Sequence, residues 1–172
     1  MEIRIHALKN LNAKQQMKIR LALKQGEAVL DSEIWADKIR SASYTEARGF
    51  TGQQIVDMIR SGSHDGGPSD GVLDVSFDSF YKYNNVVGHT FLGSAWQWIN
   101  RRFLDRYSAG DIFGHVCHEL MHRSFRFVHR GKHATSVPYQ CGYLSKQAFK
   151  EYYSKPREAS FISPSVTFIF VD

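Results

Sequence analysis

The chain has 172 residues, 42% hydrophobic and 23% charged, with 22 Lys and Arg against 17 Asp and Glu and a formal charge of +5. That length and apolar share point to one globular domain spanning 1–172 and exclude a wholly disordered chain. Apolar runs such as Phe168–Val171 fall far short of the ~18 residues of a membrane span, and Lys14, Lys18, Arg20 and Lys24 interrupt any apolar leader. The expectation is therefore no membrane partner and no signal peptide, with the cytoplasm as the default compartment.

In chain order, Glu2–His6 alternates apolar and polar residues and predicts a short strand. Asn12 caps a predicted helix carrying Met17, Ile19, Leu21, Leu23 and Val29. A second helix begins near Ser32 with Ile34, Trp35 and Ile39 on one side, and Thr51 starts a third with Ile55, Met58 and Ile59. Ser61–Gly71 (SGSHDGGPSDG) is a run of turn formers that separates a helical part, about 1–60, from the rest, about 72–172. Its Asp65 and Asp70 lack the EF-hand spacing, so it reads as a loop. Val72–Tyr83, Val86–Leu92 and Ala95–Phe103 read as strands, with Asn84–Asn85 turning between the first two. Ser108-Ala-Gly-Asp111 is a capping box that opens a helix from about Ala109 to about Ser124. Gly131, Pro138 and Gly142 predict an irregular stretch, Leu144–Tyr153 a helix, and Ser165–Val171 a strand or packed tail. Together these make an α+β fold, a small and mostly antiparallel sheet packed on helices.

Five of the eight histidines fall between His115 and His133, and the capped helix contains His118-Glu119-Leu120-Met121-His122. Positions four apart on a helix are separated by about 40° around its axis and about 6 Å along it. Both imidazoles can then converge on one zinc ion with Zn–N bonds of about 2.0–2.1 Å. Glu119, beside the first ligand, stands where a general base can reach a metal-bound water without ligating. Random placement of these residue types would give this pattern about 0.015 times per chain of this length. The bland alternative is an ordinary helix with two solvated or core histidines.

A catalytic zinc needs a third protein ligand and one open position. On a continued helix His129 would lie about 10.5 Å beyond His122, out of reach of a shared ion. His129 therefore becomes a ligand only where the helix ends near Arg123–Arg126 and the chain folds back. His133 and the carboxylates of Glu151 and Glu158 are the alternatives, and His115 is expected as a neighbour of the site rather than a ligand. Cys117 and Cys141 are expected as reduced thiols, Cys117 in the core.

The segment His118–His129 (HELMHRSFRFVH) resembles the H-E-x-x-H-x-x-G-x-x-H signature of metzincin zinc peptidases. The resemblance implies a minimal, divergent zincin-like fold with His118, His122 and a third histidine on zinc. It departs from the signature where glycine is replaced by Phe125 and where the third histidine arrives one residue late; a one-residue insertion around Ser124–Arg126 reconciles both. Ser136-Val-Pro-Tyr139 resembles the stretch that carries the family's Met-turn, although no methionine follows Met121. Tyr139 falls where some members place a zinc-facing tyrosine; it either steadies an oxyanion or simply packs. The family layout also implies an edge strand beside the active-site helix that pairs with an extended substrate. The resemblance covers about Val72–Tyr143.

The function expected is a zinc-dependent metallopeptidase acting on a peptide or protein, with Glu119 as general base. A peptidase similar to the SprT-like, DNA-associated group is one alternative, since the basic charge permits nucleic-acid contact without favouring it. A non-catalytic, zinc-stabilised interaction module is the other. Trp96 and Trp98 read as core or half-buried strand aromatics, and Arg101–Arg102 and Arg123–Arg130 as solvated arginines.

Overall fold

A computed structural model describes residues 1–62, 69–129 and 134–155. The predicted strand or packed tail at 165–171, most of the turn-former loop, His133 and Glu158 lie outside the described residues. Strand β1 (Glu2–Leu8) leads into α1 (Ala13–Asp31), α2 (Glu33–Ser41) and α3 (Gly52–Arg60). Each helix starts where a short polar side chain satisfies an orphan amide. Asn12 and Thr51 close reciprocal capping boxes with Gln15 and Gln54, and the Ser32 hydroxyl accepts from the Trp35 amide at 3.3 Å. Asp70 makes the corresponding local turn before the sheet resumes, accepting from the Val72 amide at 3.0 Å.

β2 (Val72–Phe80), β3 (Gly88–Thr90) and β4 (Gln97–Asn100) complete a four-stranded sheet in the order β1-β2-β4-β3. The sheet is mixed, not mostly antiparallel. β1 pairs parallel with β2 (Ile3 opposite Leu73) and β2 parallel with β4 (Phe77 opposite Gln97), and only β3 and β4 run antiparallel. The three-helix crossover from β1 to β2 is long enough for a parallel pair. The bend at Asn84–Asn85 does not close a hairpin. The buried Asn100 amide donates to the carbonyls of Lys82 and Val86, both at 3.0 Å, and holds that bend so that β3 runs along the far edge. β4 then returns into the place beside β2.

Asn100 also ends the strand earlier than predicted. Its carboxamide accepts from the Arg102 amide at 3.2 Å and caps α4 (Arg101–Leu104), so Arg101–Phe103 are helical. Ser108 and Asp111 form the expected capping box of α5 (Ala109–Arg123). The last described helix, α6 (Val137–Ser154), starts seven residues before the predicted Leu144. Pro138 lies in its first turn, where a missing amide costs no hydrogen bond.

One core joins the N-terminal helices to the later elements: Trp35, Ile39 and Ile55 share it with Phe77, Phe113 and Phe127. The buried Trp35 indole donates to the Ser145 hydroxyl at 2.9 Å and ties α2 to α6. Cys117 and Cys141 are buried free thiols, as expected. α5 and α6 meet backbone to backbone. A Cβ added at Gly114 would lie 2.6 Å from the Gly142 carbonyl oxygen, and one at Gly142 would lie 2.9 Å from both the Gly114 oxygen and His118 Cβ. Alanine at either position is expected to push the helices apart and cost about 1–3 kcal/mol, against the small helix-propensity gain of alanine over glycine. Calorimetry should read each as a fall of roughly 2–4 °C in Tm per kcal/mol.

Candidate metal centre

α5 buries Ile112, Val116 and Leu120 in the core, which turns His118, Glu119 and His122 toward a cleft. The two imidazoles approach with Nε2 to Nε2 at 3.3 Å. Two metal–nitrogen bonds of about 2.05 Å at a tetrahedral angle would set their nitrogens about 3.3 Å apart, so this spacing is one that a shared zinc ion could use. Backbone carbonyls hold both rings in that pose. His122 Nδ1 donates to the Phe127 oxygen at 2.7 Å, and the His118 ring donates to Pro138.

The third imidazole arrives because the chain reverses just after α5. The Phe127 amide donates to the Met121 carbonyl at 2.8 Å, and Arg126 takes a left-handed φ of 54°. The turn thus passes through the left-handed region without a glycine, one residue beyond Phe125. It brings His129 beside its partners, with ring centroids 4.8 Å from His122 and 5.7 Å from His118. One ligand atom from each of His118, His122 and His129 lies within 4.8 Å of the others, the one such group of His, Cys, Asp or Glu among the described residues. His129 Nδ1 is buried without a hydrogen-bond partner, a cost that an ion or water would remove. Glu151 is not a ligand; it pairs with Lys38 at 2.9 Å and Lys155 at 3.0 Å on the far stretch of α6.

Burial sets the electrostatics. It pushes His118 down to about 3, with the neighbouring imidazoles adding to the effect, and it also lowers His122. Neutral imidazoles with free lone pairs are the form that binds a cation. Glu119, only 4% exposed, has its carboxyl pushed up to about 8 by burial alone. His115 is the neighbour expected: buried, pushed down to about 4, its Nδ1 3.7 Å from Glu119 Oε1. What holds it there has no signal in the sequence. A Cβ on Gly88 of β3 would lie 2.3 Å from His115 Nε2, so only glycine lets the strand pass this ring.

Tyr139 stands on the first turn of α6, its ring centroid 4.7 Å from those of both His118 and His129. Two lobes of about 440 and 370 Å³ meet at Gly88, His118, Glu119 and Tyr139. β3 forms one wall. The Asn100 amide donates to Val87 at 2.7 Å, so the alternate residues Gly88 and Thr90 turn their N–H and C=O groups away from β4. No described strand covers that edge. Arg123, expected in solvent, is instead half-buried: it donates to the carbonyls of Asp74 and Ala95 and seals β2 where β4 does not reach.

The chain matches no protein-family model, no curated protein and no solved structure.

A zinc titration is expected to load one ion per chain and raise Tm by mass action. His129→Ala should weaken binding more than about 100-fold, since even outer partners of a ligand contribute roughly 10–100-fold. Competition with a chromophoric chelator checks this.

Proposed function

We propose that the chain is a zinc-dependent peptidase. The observation that carries the reading is the convergence of His118, His122 and His129 beside one buried carboxylate, Glu119, in an open cleft. A zinc ion held by three imidazoles supplies Lewis-acid chemistry, acidifying water and polarising a carbonyl.

The protein's residues divide the remaining work. The outward-facing N–H and C=O groups of Gly88 and Thr90 bind an extended peptide as an added strand, which lays its backbone across the floor of α5. Glu119 takes a proton from the attacking water and carries it to the leaving amine nitrogen. A carboxyl already displaced upward by burial suits both halves of that transfer. The Tyr139 hydroxyl donates to the substrate carbonyl oxygen as negative charge develops there. His115 packs against Glu119 and limits its rotation.

A non-catalytic zinc module differs in one respect, since it needs a fourth protein ligand to close the site. The zincin family assignment and the peptide substrate belong to the same proposal.

The test is cleavage of an unstructured peptide library by the zinc-loaded protein, read by mass spectrometry. Cleavage is expected to be lost on chelation and restored by zinc. Glu119→Gln should keep the metal and lower kcat by about 100- to 10,000-fold, the range of general-base contributions. Equal turnover by Glu119→Gln, or X-ray absorption showing four protein ligands and no exchangeable oxygen, would sink the peptidase reading.

A further inference from the structure

A second surface stands apart from the imidazole triad. The bend between β2 and β3 displays Tyr83, 82% exposed, and Tyr81, 49% exposed, with ring centroids 5.2 Å apart edge to face. The Arg102 guanidinium lies 5.6 Å from the Tyr83 ring centre, and both Arg102 and Arg106 are close enough to Tyr81 for their charges to act on its hydroxyl. Lys82, between the two tyrosines, is likewise close enough to act on His89. There the bend adjoins a second aromatic group: His89 stacks on Trp98 at 5.3 Å with the planes 4° apart, and Phe91, 64% exposed, closes on both rings edge to face.

The charges here are uncompensated. Elsewhere on the surface Arg4, Lys24, Lys38, Arg40, Arg60 and Lys146 pair with carboxylates, while Lys14, Arg20, Arg48 and Lys150 form no ion pair among the described residues but are not grouped with exposed aromatic rings. Among the described residues, Lys82, Arg102 and Arg106 form no ion pair. The nearest acids in sequence, Asp78 and Asp105, are engaged by Asn10 at 2.7 Å and Gln15 at 2.9 Å. The bend is also preorganised, because the buried Asn100 amide bonds the carbonyls on either side of Tyr83. Exposed rings on a rigid bend, interleaved with unpaired cations, suit a ligand that offers flat π-faces and a chain of negative charge together. A duplex hides its base faces, whereas a single strand presents both.

We infer that the Tyr81–Tyr83 bend with Arg102 and Arg106 is a binding surface for single-stranded nucleic acid. Bases stack on the tyrosines, and the phosphates run along Lys82, Arg102 and Arg106. The surface is independent of metal binding. It adjoins one lobe of the cleft at Asn85–Gly88 and Tyr107, so a bound strand would lie beside that lobe.

The experiment is fluorescence anisotropy of labelled oligothymidine and oligouridine with the full chain, with and without chelator, over a series of salt concentrations. Binding to at least one oligomer is expected, unchanged by chelation; the tighter of the two identifies the DNA or RNA source. Tyr83→Ala should weaken binding about tenfold or more, while Tyr83→Phe, which keeps the ring, should bind like the wild type. In Arg102→Gln and Arg106→Gln the slope of log K against log salt should shrink by about 0.7 for each phosphate no longer neutralised. Tyr83 is largely exposed, so its variants are expected to melt like the parent, and a melting curve checks that. No binding at low salt overturns the inference. So does equal binding of the duplex or of an abasic oligomer, or indifference to Tyr83→Ala.

Discussion

The close approach of α5 and α6 at Gly114 and Gly142 is the constraint on which the candidate centre depends. Without side chains at these two positions, the backbones pack near enough for the start of α6 to reach over α5. That seats the Pro138 carbonyl on the His118 ring and the Tyr139 ring against His118 and His129. A wider separation would take away the bond that orients one imidazole and the wall that the third leans on. The apolar flank of α5 anchors the same helix from behind, so His118, Glu119 and His122 project from a helix fixed on two sides.

Solvent exclusion does the chemical tuning. His118 and Glu119 are displaced in opposite directions by the same leading cause, the removal of water, and in both the neutral form gains. A cation bound there would meet imidazoles that burial keeps unprotonated. The unpartnered His129 Nδ1 and His115 Nε2 are further signs of a site whose polar groups are not all satisfied within the protein.

Local signals were legible in the sequence, and remote ones were not. The caps at Asn12, Ser32, Thr51 and Ser108 are each encoded within four residues, and all four helices begin there. The pair His118 and His122 needed only helical spacing, whereas His129 is one of several downstream candidates, beside His133, Glu151 and Glu158, and reaches the pair only because the chain folds back. Strand order was not legible, because nothing near Asn84–Asn85 tells that β4 will come between β2 and β3. Pro138 and Gly142 read as breakers, yet they suit a helix start and a close helix approach, roles that only the partner element reveals. The left-handed turn gave no signal either, since Arg126 adopts it where a glycine would have announced it. Arg123 looked like a surface charge because its acceptors, the Asp74 and Ala95 carbonyls, lie 28 or more residues away.

The parallel pairing of β1 with β2 bears on how the protein is made. Glu2 sits opposite Val72, so the first strand has no partner until its neighbour has been synthesised 70 residues later. At about 5–20 residues per second the first strand waits roughly 4–14 s without its partner. Loop closure over that span also slows folding relative to the helices, which form from local interactions. The waiting strand carries Glu2, Arg4 and His6 on alternate positions. Charged and polar side chains spaced in this way discourage pairing with neighbouring nascent chains, so the outward face of β1 doubles as protection against aggregation during synthesis.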